Sequence, residues 1–462
     1  MSREQLLTLL NRFDQILWGD FLVYLLIAIG IFYTIRLKGL QFRYLGTALK
    51  MAVTRKDDHH LGDISQFQSL MTSLAAAIGI SNIAGVATAI VAGGMGAIFW
   101  MWVIALVGMS TKYAEAILAV KYRKMDAQGN MQGGPMVYIE EGLGWKKLAI
   151  AFSFFGTLCA FAGGNLTQSN SIAIAVVDFI PISKAACGII LAILTFFILL
   201  KGIKSIGLVS SYLVPLMALL YIGFGIVVIG SYLEYVPEVF KMIVSSAFHG
   251  QAAFGGFLGA SIAQAIQFGV ARGISSSEAG LGSAPIAAAA AKTDYPGRQA
   301  LISMSGTFIS SMIVCTITAL TIGVSKFLGT VDSHGVPLNG VELVMKAFSS
   351  VIPFGDVIVA LGVLLFGYST IIGWAYYGEQ CFNYIFKTRF VFLYRLTFCI
   401  IVFLGAVASL EIVWPIVDIM NGLMALPNII ALFFLSKEVV DESNLFLTVL
   451  EKEKIVLTEK AI

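Results

Sequence analysis

An all-α integral membrane fold follows from three properties of the 462-residue sequence. Hydrophobic residues make up 58% of it and charged residues only 12%, about half the roughly 25% charged content of soluble domains. Mean hydropathy is +0.87. Apolar runs of the ~20 residues that a helix needs to cross ~30 Å of hydrocarbon recur along the chain, and two of them carry small and polar residues at their centres.

Eleven such segments are predicted to span the membrane, at about 17–36, 68–92, 95–120, 148–177, 184–200, 206–231, 250–272, 299–325, 355–386, 391–410 and 413–435. The first is too long for a signal peptide, lacks a basic leader and has no small-residue cleavage site after it, so it reads as a permanent helix. Of the 30 Lys and Arg residues, 23 fall in the loops after odd-numbered spans or in the C-terminal tail. That bias predicts an outside N-terminus and a cytoplasmic C-terminus in a plasma membrane, the inner membrane of a Gram-negative cell. The formal charge of +3 reports this topology and no nucleic-acid partner. Cys159, Cys187, Cys315, Cys381 and Cys399 are scattered, mostly within apolar spans and never as CxxC, and are expected in the core.

No linker long enough to separate domains lies between spans, so residues 1–462 are expected to form one transmembrane domain. The longest interruptions are 37–67, 121–147, 232–249 and 326–354, and the tail 436–462 reads as a solvated cytoplasmic helix or frayed end. Positions 81–89, SNIAGVATA, and 276–284, SSEAGLGSA, share Ser81/Ser276, Ala84/Ala279, Gly85/Gly280 and Ala89/Ala284 at a spacing of 195 residues. Unwound backbone at bilayer depth survives only where it lines a cavity, so paired breaks point to a transporter's binding site. With 17–36 set aside as an extra helix, each break opens a set of five spans, at about 68–231 and 250–435. Successive sets of five must be inverted in the membrane, which predicts alternating access.

The chemistry that the chain lacks narrows its function. There is no Gly-Lys dipeptide, which excludes a phosphate-binding GxxxxGK[ST] loop and argues against ATP drive, and no HExxH. No catalytic constellation sits at a span end, so an enzyme is not expected. Asp57-Asp58-His59-His60-Leu61-Gly62-Asp63 holds metal-ligating types but reads as a solvated loop. Ionisable groups inside spans weigh more. Lys112 and Glu115 stand three apart on one helix, where they are expected to pair, and an Arg272–Glu278 contact beside the second break is a candidate latch for the inner mouth.

At the first break, freed N–H groups suit a carboxylate and freed carbonyls a cation. Asn82 offers a neutral amide there, or a cap for the helix restart. Gln168 and Asn170 sit in an unusually polar span centre, as substrate contacts or as interhelical hydrogen bonds. The adjacent hydroxyls of Tyr368-Ser369-Thr370, ahead of Trp374, Tyr376 and Tyr377, supply oxygen ligands of the type that Na⁺ accepts.

The blocks NIAGVATAI (82–90), GAIFWMW (96–102), GGPMVYI (133–139), EAGLGSAPIA (278–287) and YSTIIGWAYYGE (368–379) resemble those of the alanine/glycine:cation symporter family, the sodium:alanine symporters, in family order over about residues 15–435. The resemblance implies a LeuT-type fold of ten core helices after one extra helix, importing a small neutral amino acid with Na⁺ as coupling ion. It implies a substrate site at Gly79, Ile80, Ser81 and Asn82, facing Gln168, the 273–277 stretch with Ile274, Ser275 and Ser277, and Trp374. It further implies a sodium site at Ser369 and Thr370 with carbonyls near Ala75 and Ile78. The chain departs from the family's usual Gly-Thr-Gly-Asn with Gly79-Ile80-Ser81-Asn82, and from its usual Phe-Ser-Asn-Glu with Ser275-Ser276-Ser277-Glu278. Loss of that Phe leaves room for a larger neutral amino acid such as glutamine as an alternative substrate, with H⁺ as the alternative coupling ion. A receptor or channel that binds an amino acid without carrying it is the alternative of a different class.

Overall fold

The computed structural model describes residues 3–54, 60–126, 128–250, 260–331, 335–408 and 413–459, and they are almost entirely helical. Eight helices among them are long and apolar enough to cross a membrane: Gln5–Arg36, Gly96–Lys121, Lys146–Val177, Ile203–Ser231, Pro296–Ser325, Gly355–Phe386, Thr388–Val407 and Val413–Phe434. Lys184–Leu199 is a shorter apolar helix. The first helix begins well ahead of the expected residue 17, and the helix expected at 250–272 occupies Ile262–Ser277 instead, with 251–259 outside the described residues. Residues 57–59 of the run 57–63 also lie outside them.

The two segments with small and polar centres are broken helices. The first runs Gln66–Ala77, a short turn at Ile80–Asn82, then Ala84–Gly93. The second runs Ile262–Ser277, then Ala284–Ala289. Both open with the same device, a capping box that satisfies orphan N–H groups reciprocally, Ser65 with Gln68 and Ser261 with Gln264. Their halves pair crosswise: 66–77 packs on 284–289 and 84–93 packs on 262–277, as two antiparallel segments must. The second break falls at 278–283, five residues later than the sequence match with 78–83 implies. Glu278, Gly280 and Gly282 all take positive φ, at 56°, 89° and 81°. Two glycines make that conformation cheap where the first half-helix ends.

Helices too short to cross fill the four long interruptions: Leu40–Val53, Pro135–Leu143, Val236–His249 and Gly340–Ser349. Buried Leu40, Tyr44, Ala48 and Ala52 recur every four residues on the first of these, the stripe of a helix laid on a core. Straight through the centre runs the 96–121 helix, which contacts both halves of the second broken helix and the start of 296–325. All five cysteines are buried free thiols, as expected.

The C-terminal tail differs from expectation. Ser436–Glu459 is a docked helix, not a solvated one. Val439, Phe446 and Leu450 are buried, and the Phe446 ring lies so close to Gly297 that a Cβ there would meet it at 2.5 Å. Arg298 holds Glu453 with both terminal nitrogens, at 3.2 and 2.5 Å, and Lys121 reaches Glu438 and Glu442 at 3.1 and 3.2 Å. Its charges look solvated in the sequence because their partners are more than a hundred residues away. Phe446→Ala is expected to cost about 3 kcal/mol and to lower the Tm of the detergent-solubilised protein by several degrees. An unchanged melting curve would show that the tail does not brace the bundle.

Candidate functional site

Where the 66–77 helix ends, its last carbonyls lose their intrahelical partners. Ile78 leaves helical geometry with φ −84° and ψ 83°. Hydroxyls from the 355–386 helix take up the carbonyls: Ser369 Oγ donates to Ala75 O at 3.2 Å and Thr370 Oγ1 to the same oxygen at 3.1 Å. This brings oxygens of Ala75, Ser369 and Thr370 to one point. The approach depends on Gly373, where a Cβ would meet the Ala76 backbone at 2.9 Å.

The turn itself is held by neutral groups. Gly79 N–H donates to Asn82 Oδ1 at 3.1 Å, and Ile80 N–H reaches Gln168 Oε1 at only 3.4 Å. Asn82 therefore caps the turn rather than the restarted helix, and its amide nitrogen donates to Ser310 O at 3.2 Å. Gln168 also donates to Gly163 O at 3.1 Å, in a stretch of π-helix over Ala162–Leu166. Gly164 there leaves space for Trp374, whose Cβ lies 2.3 Å from where a glycine Cβ would stand.

Between these elements lies a cavity of ≈ 80 Å³ lined by Gly79, Ser81, Gln168, Thr370 and Trp374 on one side, and by Ser275, Glu278 and Leu281 of the second broken helix on the other. Arg272 and Asp418 stand at its mouth and line an adjoining hollow of ≈ 60 Å³ together with Asp14 and Trp18. The Arg272 guanidinium lies 3.9 Å from the Asp418 carboxylate. The expected Arg272–Glu278 latch is not formed. Glu278 lines the cavity but accepts its hydrogen bond from Ser283 Oγ, at 3.0 Å. Asp418, a lone charge within an apolar span, was the overlooked signal.

Of the residues expected at the substrate site, Ile80, Asn82, Ile274 and Ser277 do not line the cavity. Ile274 is packed in the core, and Ser277 Oγ bonds back to Gly273 O at 2.9 Å. The cause is the later break: residues 273–277 are still helical, so only one of their faces reaches the cavity. Asn170 does not line the cavity and donates to Gly405 O and Ala408 O at 2.9 and 2.7 Å. Lys112 and Glu115 attract each other but share no direct bond; each bonds to the second break.

The end away from Arg272 is sealed by backbone. Asp63 and Ile64 N–H groups donate to Ala290 O at 2.8 and 3.2 Å, and Lys292 N–H to Ile64 O at 2.8 Å. Arg123 adds bonds to Leu61 O at 2.9 Å and to Ala289 O and Ala291 O at 3.1 and 2.6 Å. The lead-in to one broken helix is thereby tied to the exit of the other.

Residues 3–459 match the sodium:alanine symporter family. The sodium/alanine symporter AgcS of Methanococcus maripaludis is 49% identical over 447 residues, covering 95% of this chain and 97% of that relative. The Bacillus subtilis protein named "Probable sodium/glutamine symporter GlnT" is 37% identical, covering 92% and 87%. Among solved structures, MhsT in complex with L-phenylalanine shares the fold at a TM-score of 0.58 and 16% identity, covering 83% of this chain and 92% of its own. The chain belongs to the sodium:alanine symporter family, and it is a membrane transporter rather than an enzyme.

The division between structural and cavity-facing polar residues has a direct test. Asn170→Ala strands two carbonyls, at about 1–3 kcal/mol for each buried group left unpaired, and is expected to lower Tm without changing ligand affinity. A loss of affinity with Tm intact would move Asn170 into the site.

Proposed function

We propose that the chain symports a small neutral amino acid, alanine or glycine, with Na⁺ by alternating access. The observation that carries this reading is the ≈ 80 Å³ cavity walled by both helix interruptions. At about 10–15 Å³ of such space per water it takes roughly five to eight water-sized occupants, which suits the few heavy atoms of alanine. The greater identity to the sodium/alanine symporter AgcS, 49% against 37% to the probable sodium/glutamine symporter GlnT, makes alanine or glycine the favoured cargo.

A zwitterion needs partners for both of its charges in a site out of reach of bulk water. The carboxylate would face the N–H groups of the first interruption and the Arg272 guanidinium, whose Nε has no hydrogen-bond partner among the described residues. The ammonium would face Glu278 and Asp418, the carboxylates lining the cavity. Na⁺, a hard cation that takes oxygen ligands, would sit among Ala75 O, Ile78 O, Ser369 Oγ and Thr370 Oγ1. By ordering the end of the 66–77 helix it raises substrate affinity, and linkage requires the reverse effect to be equal.

The crosswise pairing of half-helices supports an inverted arrangement of two five-helix sets, about 68–231 and 250–435, after the extra helix 17–36. The distribution of Lys and Arg supports an outside N-terminus and a cytoplasmic C-terminus. On that orientation Arg272 and Asp418 guard the outer mouth, while Arg123 and the 61–64 to 289–292 seam close the inner one.

Purified protein in liposomes is expected to accumulate labelled alanine against its gradient only when Na⁺ is higher outside, and to show counterflow. Binding without counterflow would mean a receptor, and uptake indifferent to Na⁺ would remove the coupling ion. Ser369→Ala and Thr370→Ala are each expected to raise the half-saturating Na⁺ concentration by about tenfold, equivalent to 1.4 kcal/mol. Gly79→Ala places a methyl 2.6 Å from Thr370 Oγ1 and is expected to abolish uptake. Unaltered sodium dependence in both hydroxyl variants would place the ion elsewhere.

A further inference from the structure

Lys112 and Glu115 are among the most deeply buried charges in the protein, at 1% and 0% exposure. Neither lines the cavity and neither is used in the reading above. Both lie on the 96–121 helix, one turn apart, and each grips one end of the second interruption. Lys112 Nζ donates to Ser277 O at 2.8 Å, an orphan carbonyl at the end of the 262–277 half-helix. Glu115 Oε1 accepts from Gly282 N–H at 3.0 Å, an orphan donor just ahead of the 284–289 half-helix. A cation stands where a helix ends and an anion where one begins, each the sign that complements the local dipole. Asn428 completes the frame: its Nδ2 donates to Glu115 Oε1 at 2.6 Å and to Gly280 O at 2.9 Å. Tyr138 in turn donates to Asn428 Oδ1.

The first interruption has nothing comparable. Its turn is held by an asparagine, a glutamine at 3.4 Å and three hydroxyls, those of Ser369, Thr370 and Thr318, the last donating to Asn82 O at 2.9 Å, with no full charge bonded to its backbone among the described residues. Hydrogen bonds to charged groups are stronger than neutral ones, and more so where water is excluded.

We propose that Lys112 and Glu115 are positioning residues that hold the second interruption formed at all times, so that substrate and ion binding order only the first. The 96–121 helix and both halves of the second broken helix then move as one body, and ligand binding energy acts on the 66–77 helix. The transport consequence rests on the symport reading above; the structural claim does not.

Hydrogen exchange read by mass spectrometry on the purified full chain separates the two. Without ligand, amides at 279–283 are expected to exchange at least about tenfold more slowly than those at 78–83, and adding Na⁺ with alanine is expected to protect 78–83 alone. In Glu115→Gln and Lys112→Met, 279–283 is expected to open about tenfold faster and to become ligand-dependent. The KM for alanine is expected to rise by roughly tenfold, with the maximal rate kept within about twofold, and Lys112→Arg to recover part of the loss. Equal exchange at the two interruptions in ligand-free wild type overturns the proposal, as do variants with unaltered exchange and KM. Should Lys112→Met fail to fold, the near-isosteric Glu115→Gln decides alone. Absence of alanine transport in wild type would defeat the symport reading and leave the ligand-free comparison standing.

Discussion

A peptide group in hydrocarbon has no water to bond, so every break in a membrane helix must bring its own partners. The architecture around the cavity answers that one requirement. The 66–77 helix stops at Ala77, and the carbonyls it strands are met by Ser369 and Thr370 from a helix nearly three hundred residues away. The 262–277 helix stops at Ser277, and the groups it strands are met by Lys112, Glu115 and Asn428. In each case the partner sits on an unbroken helix, which fixes how that helix must be rotated and how closely it must approach.

Close approach in turn demands small residues, because apolar helices in lipid gain no hydrophobic drive toward one another and associate through tight packing and polar contacts. Gly373 admits the Ala76 backbone, Gly164 admits Trp374, and Gly378 stands where a Cβ would meet Tyr394 Oη at 2.2 Å. These glycines lie within helices, where glycine weakens the helix itself. Their placement is understandable only as contact geometry. A larger side chain at 373 would push the 355–386 helix outward and carry Ser369 and Thr370 away from Ala75.

Much of this was readable in the sequence, and the missing part has a common cause. Composition and apolar run length placed the long helices after the first to within a few residues, since a membrane helix is specified locally by its own hydrophobicity. Small polar stretches marked both interruptions. The second was misplaced by five residues because the matched motif tracks residue type, whereas the chain breaks where Glu278, Gly280 and Gly282 turn to positive φ. Pairings were the weakest element. Sequence proximity suggested Lys112 with Glu115 and Arg272 with Glu278, yet Lys112 bonds Ser277, Glu115 bonds Gly282, and Arg272 faces Asp418. A buried charge is satisfied by whatever tertiary packing brings to it, and helix periodicity has no access to that. The tail failed for the same reason, its partners lying at Tyr122, Lys121 and Arg298.

The two closures around the cavity are unequal, and the inequality bears on the conformation. On one side stands an Arg272–Asp418 pair at 3.9 Å, too long for a good hydrogen bond, with Arg272 Nε unpartnered among the described residues. On the other, three backbone hydrogen bonds and the Arg123 guanidinium stitch residues 61–64 to 289–292. Opening the first requires little more than parting two partly exposed charges, whose attraction is weak and screened. Opening the second breaks a seam in which Ile64 and residues 289–291 are buried, and whose peptide groups must find new partners. The Arg272 side is therefore the one ready to admit a ligand in this state. A ligand carboxylate that engages Arg272 would supply the hydrogen bonds that Asp418 does not, so occupancy itself would tighten the mouth. If the second broken helix stays formed as proposed, the seam on the far side yields by movement of the lead-in to the 66–77 helix, which would put the conformational work of transport on the first broken helix.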